Sequence, residues 1–134
     1  MKAIFVHLTG SRRGNTEVFA SDMISIGTDD EALLHFDSDI DGNTSRYHAR
    51  IQLQECDYVL EDQGSSNGTL VNNRLVGKIV LKDGDLIEFG AGGPKVRFRV
   101  KPDDTDVCKP WTQIVEDSLG IASVSNRGRI ITAT

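Results

Sequence analysis

The chain has 134 residues, 38% apolar and 26% charged, which suits one compact domain and leaves little room for a second core. Fifteen Lys and Arg against 20 Asp and Glu give a formal net charge of −5, which argues against a nucleic-acid binder, because such proteins draw most of their affinity from a basic surface. The longest apolar runs, such as Ile4 to Val6 and Ile79 to Leu81, are too short to cross a bilayer, so no membrane contact is expected and the chain reads as cytoplasmic.

In chain order, the expected strands are Ala3 to Leu8, Thr16 to Phe19, Met23 to Ile26, Leu33 to Phe36, His48 to Gln54 and Tyr58 to Asp62. They continue with Thr69 to Val71, Arg74 to Val76, Lys78 to Leu81, Asp85 to Phe89 and Val96 to Val100. Between them lies turn chemistry: Thr9-Gly10-Ser11, Asp41-Gly42-Asn43, Gly64 to Gly68, Asp83-Gly84 and Ala91 to Pro94. Ala49 to Gln54 and Val96 to Val100 alternate apolar with charged or amide residues, as half-buried antiparallel strands do. Eleven short strands without a long helical period predict an all-β fold, an antiparallel β-sandwich, over residues 1–101.

Composition shifts at Pro102, where an acidic, linker-like stretch begins. Within 102–134, Trp111, Ile114, Val115 and Leu119 recur at helical spacing between Pro110 and Gly120, which predicts a short helix over 110–119 that packs Trp111 onto the domain. Cys56 and Cys108 are far apart and lack CxxC spacing, so they are expected as reduced thiols and not as metal ligands. Asp37 to Gly42 brushes against a calcium-loop pattern, but the twelfth position from Asp37 is His48 instead of Glu, and the stretch reads as an acidic surface turn. No cofactor or metal is expected.

The densest chemistry lies in two loops, Ser45-Arg46-Tyr47-His48-Ala49 and Asp62-Gln63-Gly64-Ser65-Ser66-Asn67-Gly68-Thr69. Hydroxyls and backbone N–H groups donate to anionic oxygens, and arginine offers a planar fork of donors, so two such loops at one end of a sandwich can cradle a phosphate. Asn67-Gly68 is equally a strong hairpin-turn signal, and serine-rich turns are common on surfaces. A hydrolase could be assembled on paper from His7, His35 or His48 with nearby Ser and Asp, but no GxSxG-type signature accompanies them.

Taken together and in order, Ile26-Gly27, Ser45-Arg46-Tyr47-His48-Ala49-Arg50-Ile51, Tyr58 to Asn72 with its Gly64-Ser65-Ser66-Asn67-Gly68-Thr69 core, and Leu81 to Gly90 resemble the forkhead-associated (FHA) domain family. The resemblance runs from about Met1 to Lys101 and rests on the spacing of SRxHA and GSxNGT. It implies an eleven-stranded sandwich whose apical loops bind phosphothreonine in a partner protein, without enzymatic activity; phospho-motif readers of this kind include the FHA domains. It implies that Ser45 donates its hydroxyl to the phosphate, that Ser66 contacts the phosphate or the threonine methyl region, and that Asn67 clamps the peptide backbone. Arg46 adds charge-assisted bonds, His48 scaffolds the loops, and Gly27, Gly64 and Gly68 supply loop backbone.

One position departs from the family. The residue after Gly27 is normally an arginine that contacts the phosphate; here it is Thr28, followed by Asp29, Asp30 and Glu31. A phosphothreonine carries about −1.5 to −2 charges at neutral pH, and a hydrogen bond to a charged donor contributes roughly 1.5–3 kcal/mol. Losing that arginine is expected to weaken binding by about one to two decades, unless Arg12 or Arg13 in the β-turn around Gly10 to Gly14 reaches the same pole. The partner is therefore expected to be a phosphothreonine protein or peptide, such as a kinase substrate or the chain's own tail with Thr105, Thr112, Thr132 and Thr134. The competing expectation is a phospho-independent interaction or assembly domain on the same scaffold.

Overall fold

The computed structural model describes residues 1–102, all strand, turn and loop. The expected linker and the helix over 110–119 lie outside the described residues, as do the tail threonines. Eleven strands form: β1 (Lys2–His7), β2 (Thr16–Phe19), β3 (Met23–Gly27), β4 (Leu34–His35), β5 (Ala49–Gln54), β6 (Asp57–Asp62), β7 (Thr69–Val71), β8 (Arg74–Val76), β9 (Lys78–Val80), β10 (Leu86–Phe89) and β11 (Lys95–Lys101). They make two sheets, a six-stranded one ordered β2-β1-β11-β10-β7-β8 and a five-stranded one ordered β4-β3-β5-β6-β9. Each sequence-predicted strand forms, with ends shifted by no more than a residue or so.

Alternation in sequence becomes alternation in burial. In β1, Ala3, Phe5 and His7 face inward, and in β11 Val96 and Phe98 do so while Arg97 and Arg99 face solvent. The two strands pair antiparallel over six residues, Lys2↔Lys101 to His7↔Val96. Phe5, Phe36, Tyr58, Phe89 and Phe98 interlock between the sheets with Ile24, Ile51, Leu60 and Ile87, all essentially without solvent contact. Tilted and edge-on ring pairs, such as Phe5 with Phe98 at 5.7 Å and Tyr58 with Phe98 at 5.7 Å, give the aromatic centre its geometry.

Two findings differ from the sequence reading. The sandwich is antiparallel except where β4 joins β3 in parallel, through Ile26↔Leu34 and Gly27↔His35. A two-residue strand is too short to carry a period, so its direction could not be read from the sequence. Cys56 is disulfide-bonded, against the expectation of a reduced thiol. It sits exposed in the tight β5–β6 turn, where a sulfur is open to a partner.

Register decides what lies at each end. Ile26↔Ala49, Ala49↔Asp62, Phe89↔Thr69 and Glu88↔Lys95 put the end of β3, the start of β5, the end of β6, the start of β7 and the β10–β11 turn at one pole. The β3–β4, β4–β5 and β6–β7 loops therefore converge there.

Candidate functional site

At this pole the organising residue is His48. It is fully buried and stands edge-on to Phe89, with ring centroids 5.8 Å apart. The Ser45 backbone N–H donates to His48 Nδ1 at 2.9 Å, so the ring proton sits on Nε2, which donates to the Gly68 carbonyl at 2.8 Å. One imidazole thus ties the β4–β5 loop to the β6–β7 loop, 20 residues apart in sequence. Its backbone extends the tie: His48 N–H donates to the Ile26 carbonyl at 2.9 Å, and the His48 carbonyl accepts from Gln63 N–H at 2.9 Å. Burial pushes the His48 pKa below its ordinary value, while the bond to Gly68 and the nearby Asp62 charge work the other way.

The second organiser is Asp62, at the end of β6. Its carboxylate accepts from Gly64 N–H at 2.9 Å, Ser65 N–H at 3.0 Å and Thr69 Oγ1 at 2.7 Å, and also from the Ser65 hydroxyl. Burial alone would raise this carboxyl; the ring of donors outweighs burial and holds it below the usual carboxylate range. The loop it closes carries Gly64 and Gly68 at φ +77° and +81°, left-handed conformations that a Cβ opposes.

These organisers bring Ser45, Ser66 and Asn67 together. Ser66 N–H donates to Ser45 Oγ at 3.0 Å, which leaves the Ser45 hydroxyl hydrogen to point elsewhere. Ser45 is half-buried, whereas Ser66 and Asn67 are exposed. Asn67 Nδ2 donates to the Asn43 carbonyl at 3.0 Å, which fixes the amide plane and keeps its Oδ1 clear of that bond. Asn43 Nδ2 reaches across to the Ala91 carbonyl at 3.2 Å, and Ala91 N–H returns to the Asn67 carbonyl at 3.0 Å. Three loops from both sheets are stitched into one rim.

The other half of the pole carries the charge. Thr28 and Asp29 run alongside the β4–β5 loop, with Thr28 N–H on the Ser45 carbonyl and Asp29 N–H on the Arg46 carbonyl, both at 3.2 Å. This approach demands glycine at 27, since a Cβ there would fall 2.1 Å from the Arg46 carbonyl oxygen. A depression of about 260 Å³ opens between Thr28, Asp29, Asp30, Ser38 and Arg46, so the position where an arginine was expected shares a surface hollow with Arg46. Arg46 is the only Lys or Arg in residues 28–48 and 63–68. Its side chain is 71% exposed and lies over the Tyr47 ring, 5.4 Å from the centroid. Its Nε donates to Asp29 Oδ1 at 3.0 Å, and this bond, with Glu31 N–H as a further donor, holds the Asp29 carboxyl below its usual range.

Arg12 does not join this group. Its guanidinium sits 3.2 Å from Glu17 Oε2 and donates to the His35 carbonyl at 3.2 Å. Its turn is held by Ser11, whose N–H donates to the buried Asp41 carboxylate at 3.0 Å and whose hydroxyl bonds the same group. Asp29, Asn43 and Asp62 are supports of the candidate site to which motif reading gave no role. The one sequence signal for them is that each is an Asp or Asn in or beside a turn, where a short polar side chain bonds nearby backbone. Two of the three histidines are engaged: both His48 nitrogens serve backbone, and His7 Nε2 is 2.7 Å from Glu17 Oε2, while His35 Nε2 lies 3.9 Å from Asp30 Oδ1. Among the described residues no cluster of His, Cys, Asp and Glu could hold a metal ion, and no helix is long and apolar enough to cross a membrane.

The arrangement can be set beside known proteins. The glycogen accumulation regulator GarA of Mycobacterium tuberculosis is 42% identical over 59 residues, a stretch covering 42% of this chain and 36% of GarA. The chain thus spans little more than a third of that relative's length. A solved domain from a study of phosphothreonine-dependent FHA domain interactions is 29% identical, with 77% of this chain and 100% of that chain covered and a TM-score of 0.66. The FhaA FHA domain, solved in complex with the intracellular domain of Rv3910, is 30% identical over 72% of this chain and 99% of that chain, with a TM-score of 0.62. The FHA domain family model matches residues 24–90, which is half of the chain and runs from β3 through the β4–β5 and β6–β7 loops to the end of β10. With the loops around His48 and Asp62 falling inside that match, the chain belongs to the FHA domain family.

Proposed function

We propose that this domain is a non-enzymatic interaction module that binds phosphothreonine-containing segments of partner proteins at the pole built by His48 and Asp62. The observation that carries the reading is the pairing of Ser45 Oγ with Ser66 N–H at 3.0 Å beside Arg46. It leaves a hydroxyl donor and an exposed guanidinium on one rim, a donor set suited to a tetrahedral anion. Ser45 and Ser66 take the phosphate oxygens, and Asn67 takes the peptide backbone through its free amide oxygen. Arg46 supplies the cation that Thr28 does not, through the terminal nitrogens that its bond to Asp29 leaves unused. The solved FHA domains it resembles, one described by phosphothreonine-dependent interactions, support the same ligand class.

The test is binding of matched degenerate peptide libraries, phosphorylated or not on a central threonine, to the wild type and to the Ser45→Ala/Ser66→Ala double variant. Selective capture of the phosphorylated library, lost in the double variant while the fold persists by circular dichroism, is the expected result. Equal capture of both libraries overturns the reading. A protein partner that survives the double variant would instead favour an assembly domain that has kept the scaffold.

A further inference from the structure

Below the rim, on the outward face of the five-stranded sheet, lies a groove of about 400 Å³ between β3 and β5. Its volume is that of a site for a ligand side chain or a small ligand. Its apolar and aromatic lining includes Met23, Ile26, Ala32 and Tyr47. Met23 and Tyr47 are 39% and 62% exposed, unusual for large apolar and aromatic side chains grouped around one depression on a sheet face. The upper end of the groove is formed by Asp29 and Arg46, which also line the depression beside Thr28. Groove and depression therefore meet at a single ion pair, whose Arg46 follows Ser45 in the β4–β5 loop.

We propose that the groove is a second contact for the partner: it takes an apolar side chain of the same segment that presents phosphothreonine to the rim, and so sets specificity on the sheet face and away from the apical loops. The inference rests on the phosphothreonine reading of the rim. Three arguments choose this occupant. The groove shares Arg46 with the anion site, so a chain anchored there passes over its mouth. From Ile26 to Met23 is three strand residues, about 10 Å, a span that a short extended peptide covers without bending. The rim, with Thr28 in place of an arginine, is short of one strong contact, and an apolar anchor adds affinity without adding charge.

The experiment uses a phosphothreonine-anchored library randomised on both sides, with wild type, Met23→Glu and Ala32→Glu. Met23 is exposed and Ala32 half-buried, and retention of the fold is read by thermal melting. The wild type is expected to select a Leu, Ile, Met or Phe at one flanking position. Each variant is expected to lose that selection and bind the selected peptide about tenfold more weakly, as burial of part of one apolar side chain implies, while still preferring phosphorylated over unphosphorylated peptide. Phospho-selective capture without an apolar preference, or a preference that survives both variants, overturns the groove and leaves the rim reading standing. Equal capture of phosphorylated and unphosphorylated libraries overturns the rim reading and the groove's role with it. Self-association that Met23→Glu abolishes would put a second copy of the chain in the groove and likewise overturn the proposal.

Discussion

The two halves of the apical pole are built on opposite principles. The half made by Ser45, Ser66 and Asn67 is neutral, and its donors are aimed by buried or ring-bonded organisers, His48 and Asp62. The half made by Thr28 to Glu31 is acidic and solvated, and its cation is borrowed from the neighbouring loop through the exposed Arg46–Asp29 pair. Donor geometry is thus a property of the core, while charge is a property of the surface. A substitution at 28 changes the second without disturbing the first.

His48→Ala should collapse the difference by removing the organiser itself. Ser45 N–H and the Gly68 carbonyl lose their partner, and a cavity opens against Phe89. A loss of about 2–4 kcal/mol in urea-denaturation stability is expected, together with loss of phosphopeptide binding. Thr28→Arg should act on the acidic half alone. By adding a charge-assisted bond it should tighten phosphothreonine peptide by about 10- to 100-fold, read by fluorescence polarisation, with an unchanged melting curve and a steeper dependence on salt.

Acid should test the organised half more gently. Burial lowers the folded-state pKa of both His48 and His7 below the ordinary 6.5. Around His7, Glu17 and Asp41 oppose the shift and Arg12 adds to it; around His48, Asp62 opposes it. Folded protein therefore binds fewer protons than unfolded protein, so the stability contributed is full above 6.5 and falls as pH drops below it. Denaturation at pH 5.5 and pH 7.5 should differ by about 1–2 kcal/mol in this direction. His48 also has to be neutral to accept from Ser45 N–H, so rim geometry should loosen only at lower pH, once the folded-state imidazole itself takes a proton. The smallest expected effect belongs to Asp29→Asn. It frees Arg46 from an exposed, solvent-screened pair, and peptide affinity should rise about two- to threefold by titration, with no change in stability.

Where the sequence was informative, the reason is local physics. Ala49 to Gln54 and Val96 to Val100 alternate because one face of each is core, so their strands and facings were readable before any fold was known. The SRxHA and GSxNGT stretches were legible as one candidate site only through their resemblance to the FHA family; as isolated loops they read equally as surface turns. What escaped is what depends on meeting at a distance. Asp29 and Arg46 pair across 17 residues, Asn67 and Asn43 across 24, and Ser11 and Asp41 across 30. None leaves a periodic trace. Arg12 illustrates the ambiguity: from the sequence it could have served the rim, and only its Glu17 and His35 contacts decide otherwise.

The closed ring that Asp62 draws around Gly64, Ser65 and Thr69 has a kinetic consequence. Every donor in it comes from the loop it holds, so the loop's conformational freedom is given up when the domain folds and not when a partner arrives. Association with a segment that is itself disordered should then be limited by the ordering of the partner, and differences in lifetime among partners should trace to their own sequences and not to rearrangement of the rim.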